Sequence, residues 1–261
     1  MFLKKLFEKT KKKIPSHILE PKGVSKNSRR YPRVFLTKGV QDFDRIAGLE
    51  VRWPTGHVTG CLDISYIGAA IVKTSKILER YKKGDKITFY FSFADGPMDV
   101  EFEAEVIRED EKVLAVFFPE LSLSARQALD GFLRQKLIGL NTKLLDPKYY
   151  IKEQGFNYWF HGPNQTNIFV WGSADNIKKA TIEMNYQVVT FEDGNIYLSE
   201  SRRYLEVPTE DYAYRVNNPE VKSVADKRIA QDVISLLSQI EDSTGIINKL
   251  SQKMVENLGV K

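Results

Sequence analysis

Two groups of polar residues in the first quarter of the chain have side chains suited to an anion that carries a base. The first group is a cluster of arginines, Arg29, Arg30 and Arg33. The guanidinium fork of arginine donates two hydrogen bonds to the O6 and N7 edge of guanine, and it also pairs bidentately with phosphate oxygens. The cluster therefore indicates recognition of a guanine base, a phosphate or both.

The second group is a D-x-S-x-x-G run formed by Asp63, Ser65 and Gly68. The Asp63 carboxylate can accept hydrogen bonds from the N–H groups of guanine, and the Ser65 hydroxyl can donate to a phosphate. Gly68 has no side chain, so its backbone can approach a ligand closely. Either group alone also fits a simpler interpretation, in which the arginines are solvated and the Asp–Ser run caps an ordinary turn.

Short strands separated by turns must position both groups. Apolar and β-favouring residues predict strands near 31–36, 43–53, 57–63, 68–74, 87–93, 98–106 and 113–118. Residues 87–93 alternate with a period of two, and Asp95-Gly96 predicts a hairpin turn after them. An apolar stripe then predicts a helix over 122–140. This succession favours a small barrel closed by one helix rather than βαβ units.

The pattern of short strands restarts after residue 141. Alternating residues predict strands near 156–160, 168–170, 181–184 and 187–191, and Asp193-Gly194 predicts a hairpin turn into 196–198. Two apolar stripes, from 219 to about 240 and from 246 to 258, predict helices. We expect these helices to pack on the second β-rich segment rather than pair with another copy of the chain, because the heptad pattern is short.

Positive charge is concentrated at the start of the chain. Residues 1–33 contain eleven lysines and arginines against two glutamates, which leaves a net charge of −4 on the rest of a chain whose total is +5. Residues 2–12 predict a short basic amphipathic helix, and 14–28 predict a mobile linker. A leader of this kind suits an anionic partner: a nucleotide, a nucleic acid or a membrane surface.

Residues that would indicate catalysis are scattered along the chain. His17, His57 and His161 lie in three different segments without metal-ligand spacing, and no phosphate loop or nucleophile elbow is present. We expect no enzyme activity, no metal and no cofactor. Trp159, Phe160 and Trp171 are interpreted as core of the second segment. The single cysteine, Cys61, is interpreted as a buried core residue.

The sequence contains no apolar run of the roughly 18 residues that a membrane-spanning helix needs. It also lacks the pattern of a secretory signal, so we expect a cytoplasmic protein. We divide the chain into a basic leader (1–27), a barrel domain (28–140) and a C-terminal β-rich domain with terminal helices (141–261).

The two motifs together, in this order and about thirty residues apart, resemble the PilZ domain of bacterial cyclic di-GMP receptors. The resemblance covers about residues 28–140. It implies a mainly β fold with some α, built on a six-stranded barrel with a helix. It also implies a cyclic di-GMP site formed by Arg29, Arg30, Arg33, Asp63, Ser65, Gly68 and Ala69. Ala69 stands where many members have a second glycine, and Ser28 occupies a position thought to influence ligand stoichiometry, which stays open.

The resemblance implies a receptor that orders its arginine segment when cyclic di-GMP binds and signals to a protein partner. Motility, adhesion or exopolysaccharide machinery is the partner that the family suggests. Two alternatives stay open: a ligand-free adaptor acting through protein contacts, and a binder of nucleic acid or membrane surfaces through the leader. Specific nucleic-acid binding is not expected, whereas peripheral membrane contact through residues 1–13 stays open.

Overall fold

The computed structural model describes residues 31–36, 48–73, 80–93, 99–149, 155–185, 187–200, 223–224 and 227–257. Several sequence predictions lie outside these residues. They are Arg29 and Arg30, the leader helix over 2–12, the first part of the strand predicted at 43–53 and the turn at Asp95-Gly96.

The first sheet closes on itself. Its strands in the described residues have the hydrogen-bonded order β1-β3-β2-β5-β6-β7-β4, and β4 pairs again with β3. Strands β2 to β7 therefore form a closed antiparallel barrel of six strands, and β1 pairs with the end of β3. The predicted six-stranded barrel is confirmed. The strands are β1 (Val34–Phe35), β2 (Leu49–Arg52), β3 (Val58–Ser65), β4 (Gly68–Val72), β5 (Lys86–Phe93), β6 (Val100–Glu109) and β7 (Val113–Phe117).

Aromatic side chains fill the barrel because β5 alternates strictly between its two faces. Phe89 and Phe91 of β5 are fully buried. The Phe91 ring meets the Phe102 ring of β6 edge-on, with centroids 4.6 Å apart. Phe118, which follows β7, packs against Phe102 at 5.3 Å. Each large ring buries apolar area and adds a specific pair geometry, so these contacts fix the positions of the strands around the barrel.

Helix α1 (Leu123–Leu140) covers the barrel with one face. Ser122 caps its first turn, because the Ser122 Oγ accepts a hydrogen bond from the amide of Ala125 at 3.1 Å. The barrel-facing side contains Leu129 and Leu133, which are fully buried among the barrel residues. The helix predicted over 122–140 is confirmed, with Ser122 as its cap.

The second sheet is an antiparallel meander in chain order. It comprises β8 (Lys143–Leu144), β9 (Tyr158–His161), β10 (Asn167–Ser173), β11 (Asn176–Met184), β12 (Gln187–Glu192), β13 (Asn195–Glu200) and β14 (Ser223–Val224). Asp193 and Gly194 both have positive φ and separate the paired residues Glu192 and Asn195. The hairpin turn predicted there is confirmed, since two positive φ values are what a two-residue turn of this kind requires.

Two helices cover one face of the second sheet. They are α2 (Lys227–Leu237) and α3 (Ile246–Asn257). Val233 of α2 and Leu250 of α3 are fully buried in one cluster with Ile182 and Val189 of the sheet. The packing expected for these helices is confirmed. The barrel core and this second core are separate clusters, whereas the division of the chain at residues 27 and 140 stays a prediction.

Helix α1 also contacts α2, and a glycine makes this approach possible. A Cβ atom added at Gly139 would collide with the carbonyl oxygen of Leu236, whereas one added at Gly131 of the same helix would meet open space. Of the two glycines in α1, only Gly139 therefore lies where the backbones of α1 and α2 approach each other closely.

We expect Gly139→Ala to lower the free energy of unfolding by about 1–3 kcal/mol, because a crowded interface has to shift. Gly131→Ala is the matched control and should raise stability by about 0.5–1 kcal/mol, since alanine favours the helix at an open position. Urea unfolding of both variants measures the difference. Equal stability of the two variants would contradict the close packing.

Candidate ligand-binding site

A β-bulge in β3 directs Asp63 to the outer surface of the barrel. Cys61 pairs with Ile71 of β4, but the next pair is Asp63 with Ala70, so Leu62 is the extra residue. Cys61 and Ile64 both belong to the barrel core. Strict alternation from Cys61 would have placed Asp63 inside with them. The bulge reverses the phase and places the carboxylate outside.

Strand β1 brings Arg33 to that carboxylate. Val34 pairs with Ile64, and Phe35 pairs with Asp63, so the residue preceding β1 lies beside β3. The Arg33 Nη1 lies 2.8 Å from the Asp63 Oδ1, and the two side chains are 23% and 13% exposed. The structure thus brings together one residue from each of the two motifs, thirty positions apart in the sequence.

The turn between β3 and β4 is held by Ser65. Its hydroxyl donates to the carbonyl of Gly68 at 3.2 Å and lies 3.4 Å from the amide of Ile67, which donates to it. Ser65 is buried. The sequence argument assigned its proton to a phosphate, whereas in this structure the proton serves the turn, the local role that short hydroxyl side chains often have.

Gly68 and Ala69 lie at the start of β4, where the barrel strands pack closely. A Cβ at Gly68 would collide with the carbonyl oxygen of Val116 in β7, so glycine is required there for strand packing. Ala69 is buried in the barrel core. Its methyl group therefore points away from the outer surface, and only its backbone could meet a ligand there.

Tyr66, within the D-x-S-x-x-G run, connects the turn to helix α1, and sequence reasoning missed it. Its hydroxyl donates to the Asp130 Oδ1 at 3.0 Å, and the other Asp130 oxygen pairs with Arg134 at 2.6 Å. Burial, followed by the hydrogen bond to Asp130, raises the pKa of Tyr66 to about 12. Hydrogen bonds from Arg134 and Tyr66 hold the pKa of Asp130 below its usual range. Tyr66 therefore keeps its proton and its partner at neutral pH.

Cys61 lies beneath the site. Its thiol is buried and donates to the carbonyl of Asp63 at 3.2 Å. Burial, followed by the nearby negative charge of Asp63, raises the pKa of the Cys61 thiol far above its ordinary value. A thiol held in its protonated form is a poor nucleophile. The interpretation of Cys61 as a buried core residue is confirmed.

The second sheet holds a polar and aromatic cluster on the face that α2 and α3 do not cover. Asn167 Oδ1 accepts from Trp159 Nε1 at 2.9 Å and lies 2.9 Å from His161 Nδ1. Trp159 and Trp171 pack against the buried rings of Phe156 and Phe169. These aromatic residues are packed within the sheet, as the sequence indicated, and Asn167 holds the indole and the imidazole in place.

Two further features are absent from the described part of the chain. No helix there has the length and hydropathy that crossing a membrane requires. No three acidic, histidine or cysteine side chains there come close enough together to hold a metal ion.

Comparison with known proteins identifies one family. The family model described as the PilZ domain matches residues 27–135. Five solved chains match the structure. One is an uncharacterised protein of Legionella, with 16% identity, 40% of this chain and 92% of that chain covered, and a TM-score of 0.29. Another is the PilZ domain of YcgR from Escherichia coli with c-di-GMP, with 16% identity, coverage of 39% and 86%, and a TM-score of 0.28. No curated protein matches the sequence.

Proposed function

Residues 27–135 of this chain are a PilZ domain, and we propose on that basis that the protein is a cytoplasmic receptor for cyclic di-GMP. The observation that carries the proposal is the meeting of Arg33 and Asp63 on the outer surface of the barrel, 2.8 Å apart. One guanidinium and one carboxylate from the two motifs could thereby meet the same ligand.

The chemistry of this pair fits a guanine nucleotide. The Arg33 fork has five N–H donors, and the bond to Asp63 uses one of the two on Nη1. The remaining donors suit the O6 and N7 edge of guanine or a phosphate oxygen, and the second Asp63 oxygen suits a guanine N–H group. Each good arginine–guanine pair contributes about 1–3 kcal/mol. Two or three contacts of this size make up much of a micromolar affinity, which is about −8 kcal/mol.

We add Arg29 and Arg30 to the proposed site on the evidence of the sequence alone. Cyclic di-GMP carries two phosphate charges, and residues 1–33, with eleven lysines and arginines against two glutamates, hold the whole excess of positive charge in the chain. We propose that these arginines bind the phosphates and that binding orders their segment, an order–disorder transition of the kind that signalling proteins use. Gly68 and Ser65 hold the turn on which Asp63 depends, and Ala69 contributes backbone only.

The signal would pass to a protein partner. We propose that residues 141–261 select this partner, and that it belongs to a motility, adhesion or exopolysaccharide machine. The proposed activity is binding alone, because the receptor role needs no bond to be made or broken.

Titration calorimetry with cyclic di-GMP on the full chain tests the proposal. We expect heat that corresponds to a low-micromolar or tighter Kd, together with a rise in the melting temperature, because a ligand that binds only the folded state stabilises it. Cyclic GMP at the same concentration is the control, since it offers one guanine and one phosphate. Absence of both heat and thermal shift at high ligand concentration would overturn the receptor and favour the ligand-free adaptor.

A further inference from the structure

The turn after α2 contacts the strand that follows the arginines. The side-chain amide of Gln239 donates from Nε2 to the carbonyl oxygen of Phe35 at 2.9 Å. Phe35 lies two residues after Arg33 and pairs with Asp63 across β1 and β3. A residue 204 positions away in the sequence is therefore bonded to the backbone of the strand that positions Arg33.

The Gln239 side chain is buried, and one of its two polar atoms has no hydrogen-bond partner in the described structure. The side chain is 2% exposed. Its Nε2 bonds to Phe35 and to Ser238, but its Oε1 is buried and has no hydrogen-bond partner in the described structure. A buried polar atom without a partner is unfavourable, and an apolar residue of the same size would avoid it. Packing alone does not account for glutamine here, whereas a need to hold β1 does.

The D-x-S-x-x-G run is also bonded to a helix outside the barrel wall. Tyr66 bonds to Asp130 of α1, and Asp130 pairs with Arg134. Asp232 of α2 also contributes to the raised pKa of Arg134, behind the larger contribution of Asp130. The second motif is thus connected to α1, whereas the first motif is connected through Gln239 directly to the turn after α2.

Helices α1 and α2 are closely packed where these contacts meet. Lys136 of α1 is 1% exposed, and its Nζ lies 3.1 Å from the Ser235 hydroxyl of α2. The same ammonium lies over the ring of Phe132, 4.0 Å from its centroid. With Gly139 against Leu236, these contacts leave little room for α1 to move independently of α2.

We propose that Gln239 is a positioning residue in the binding of cyclic di-GMP. Gln239 holds β1 so that Arg33 meets Asp63, and it transmits ligand binding to α2 and the second sheet. This inference rests on the proposed function. Since coupling between two sites is reciprocal, the C-terminal helices set the ligand affinity as much as the ligand acts on them. A protein partner bound to the second sheet would thereby change the affinity for cyclic di-GMP.

The test compares two buried glutamines in the full chain. Gln239→Met removes the donor to Phe35 while keeping the length of the side chain. Gln135→Met is the matched control. Gln135 lies in α1, is 5% exposed and also has a buried Oε1 without a partner, and in the described structure it makes no hydrogen bond to β1. We expect Gln239→Met to weaken cyclic di-GMP binding about three- to tenfold, the effect of one lost hydrogen bond. Gln135→Met should stay within about twofold.

Amide hydrogen exchange supplies a readout that a merely structural residue would not change. We expect the ligand to slow exchange in β1, β3, α1 and α2 of the wild type, and in β3 and α1 but not α2 of Gln239→Met. If that variant does not fold, Tyr66→Phe serves instead and should lose the ligand-induced protection of α1. An unchanged Kd with unchanged protection of α2 in Gln239→Met would overturn the inference alone. Absence of binding by the wild type would overturn the proposed function and this inference together.

Discussion

Replacing Arg33 with alanine is expected to weaken cyclic di-GMP binding by about two orders of magnitude. Two losses combine in this variant. The arginine–guanine or arginine–phosphate contact contributes about 1–3 kcal/mol, and about 1.4 kcal/mol corresponds to a factor of ten. The Asp63 carboxylate, now without the guanidinium at 2.8 Å, also repels the phosphates of a dianionic ligand. Titration calorimetry of the variant and the wild type measures the ratio of the two Kd values.

Arg52→Ala is the matched control for net charge. Arg52 lies on the neighbouring strand β2, where it is exposed and pairs with Glu50 at 3.2 Å. Its removal changes the charge of the protein equally, so a binding change beyond about twofold would show that charge alone accounts for the effect.

A second control is Arg33→Ala combined with Asp63→Asn. If the two residues act as a unit, the double variant binds no more weakly than Arg33→Ala. Wild-type affinity in Arg33→Ala would contradict the site.

Gly68→Ala is expected to have the largest effect on stability among substitutions in the D-x-S-x-x-G run. The new methyl group would collide with the carbonyl oxygen of Val116, which is backbone of the paired strand β7. Backbone in a closed barrel cannot move aside as the end of a flexible side chain can. We expect a loss of about 1–3 kcal/mol, the usual cost of overpacking. Urea unfolding, followed by circular dichroism, measures it.

Gly60→Ala provides the control within the same barrel. The nearest atom to an added Cβ at Gly60 is the Val72 Cγ2 at 3.7 Å, which is an ordinary contact. This variant should be as stable as the wild type or slightly more stable, since alanine loses less conformational freedom on folding than glycine. If the Gly68→Ala and Gly60→Ala variants unfold at the same urea concentration, the prediction that the new methyl group collides with Val116 is wrong. A stable Gly68→Ala that binds no ligand would return Gly68 to the role suggested by the sequence, close approach to the ligand.

The barrel could be predicted because its signals are local. The period of two in residues 87–93 and the turns between short apolar runs are visible in consecutive residues, and they favour a small barrel. The number of six strands is implied only by the resemblance to a family. The meeting of Arg33 and Asp63 could be expected only from the resemblance to a family. Residue types alone left both the solvated and the ligand-binding interpretation open.

Other features depend on distant parts of the chain and leave no local pattern. The bulge at Leu62 reverses the alternation in β3, yet nothing in Cys61-Leu62-Asp63-Ile64 indicates it. The reason for Gly68 is a carbonyl on β7, and the partner of Tyr66 lies 64 residues away. Such pairings are decided when elements pack together, so propensity and periodicity cannot foresee them.

The bond between Gln239 and Phe35 also has a consequence for the timing of biosynthesis. Ribosomes add about 5–20 residues per second, so the 204 positions between the two residues correspond to roughly 10–40 seconds of translation. The last barrel strand ends at Phe117, so every barrel strand is translated before the amide that holds β1. A nascent chain of this protein therefore contains every strand of the barrel before it contains the residue that fixes the first strand.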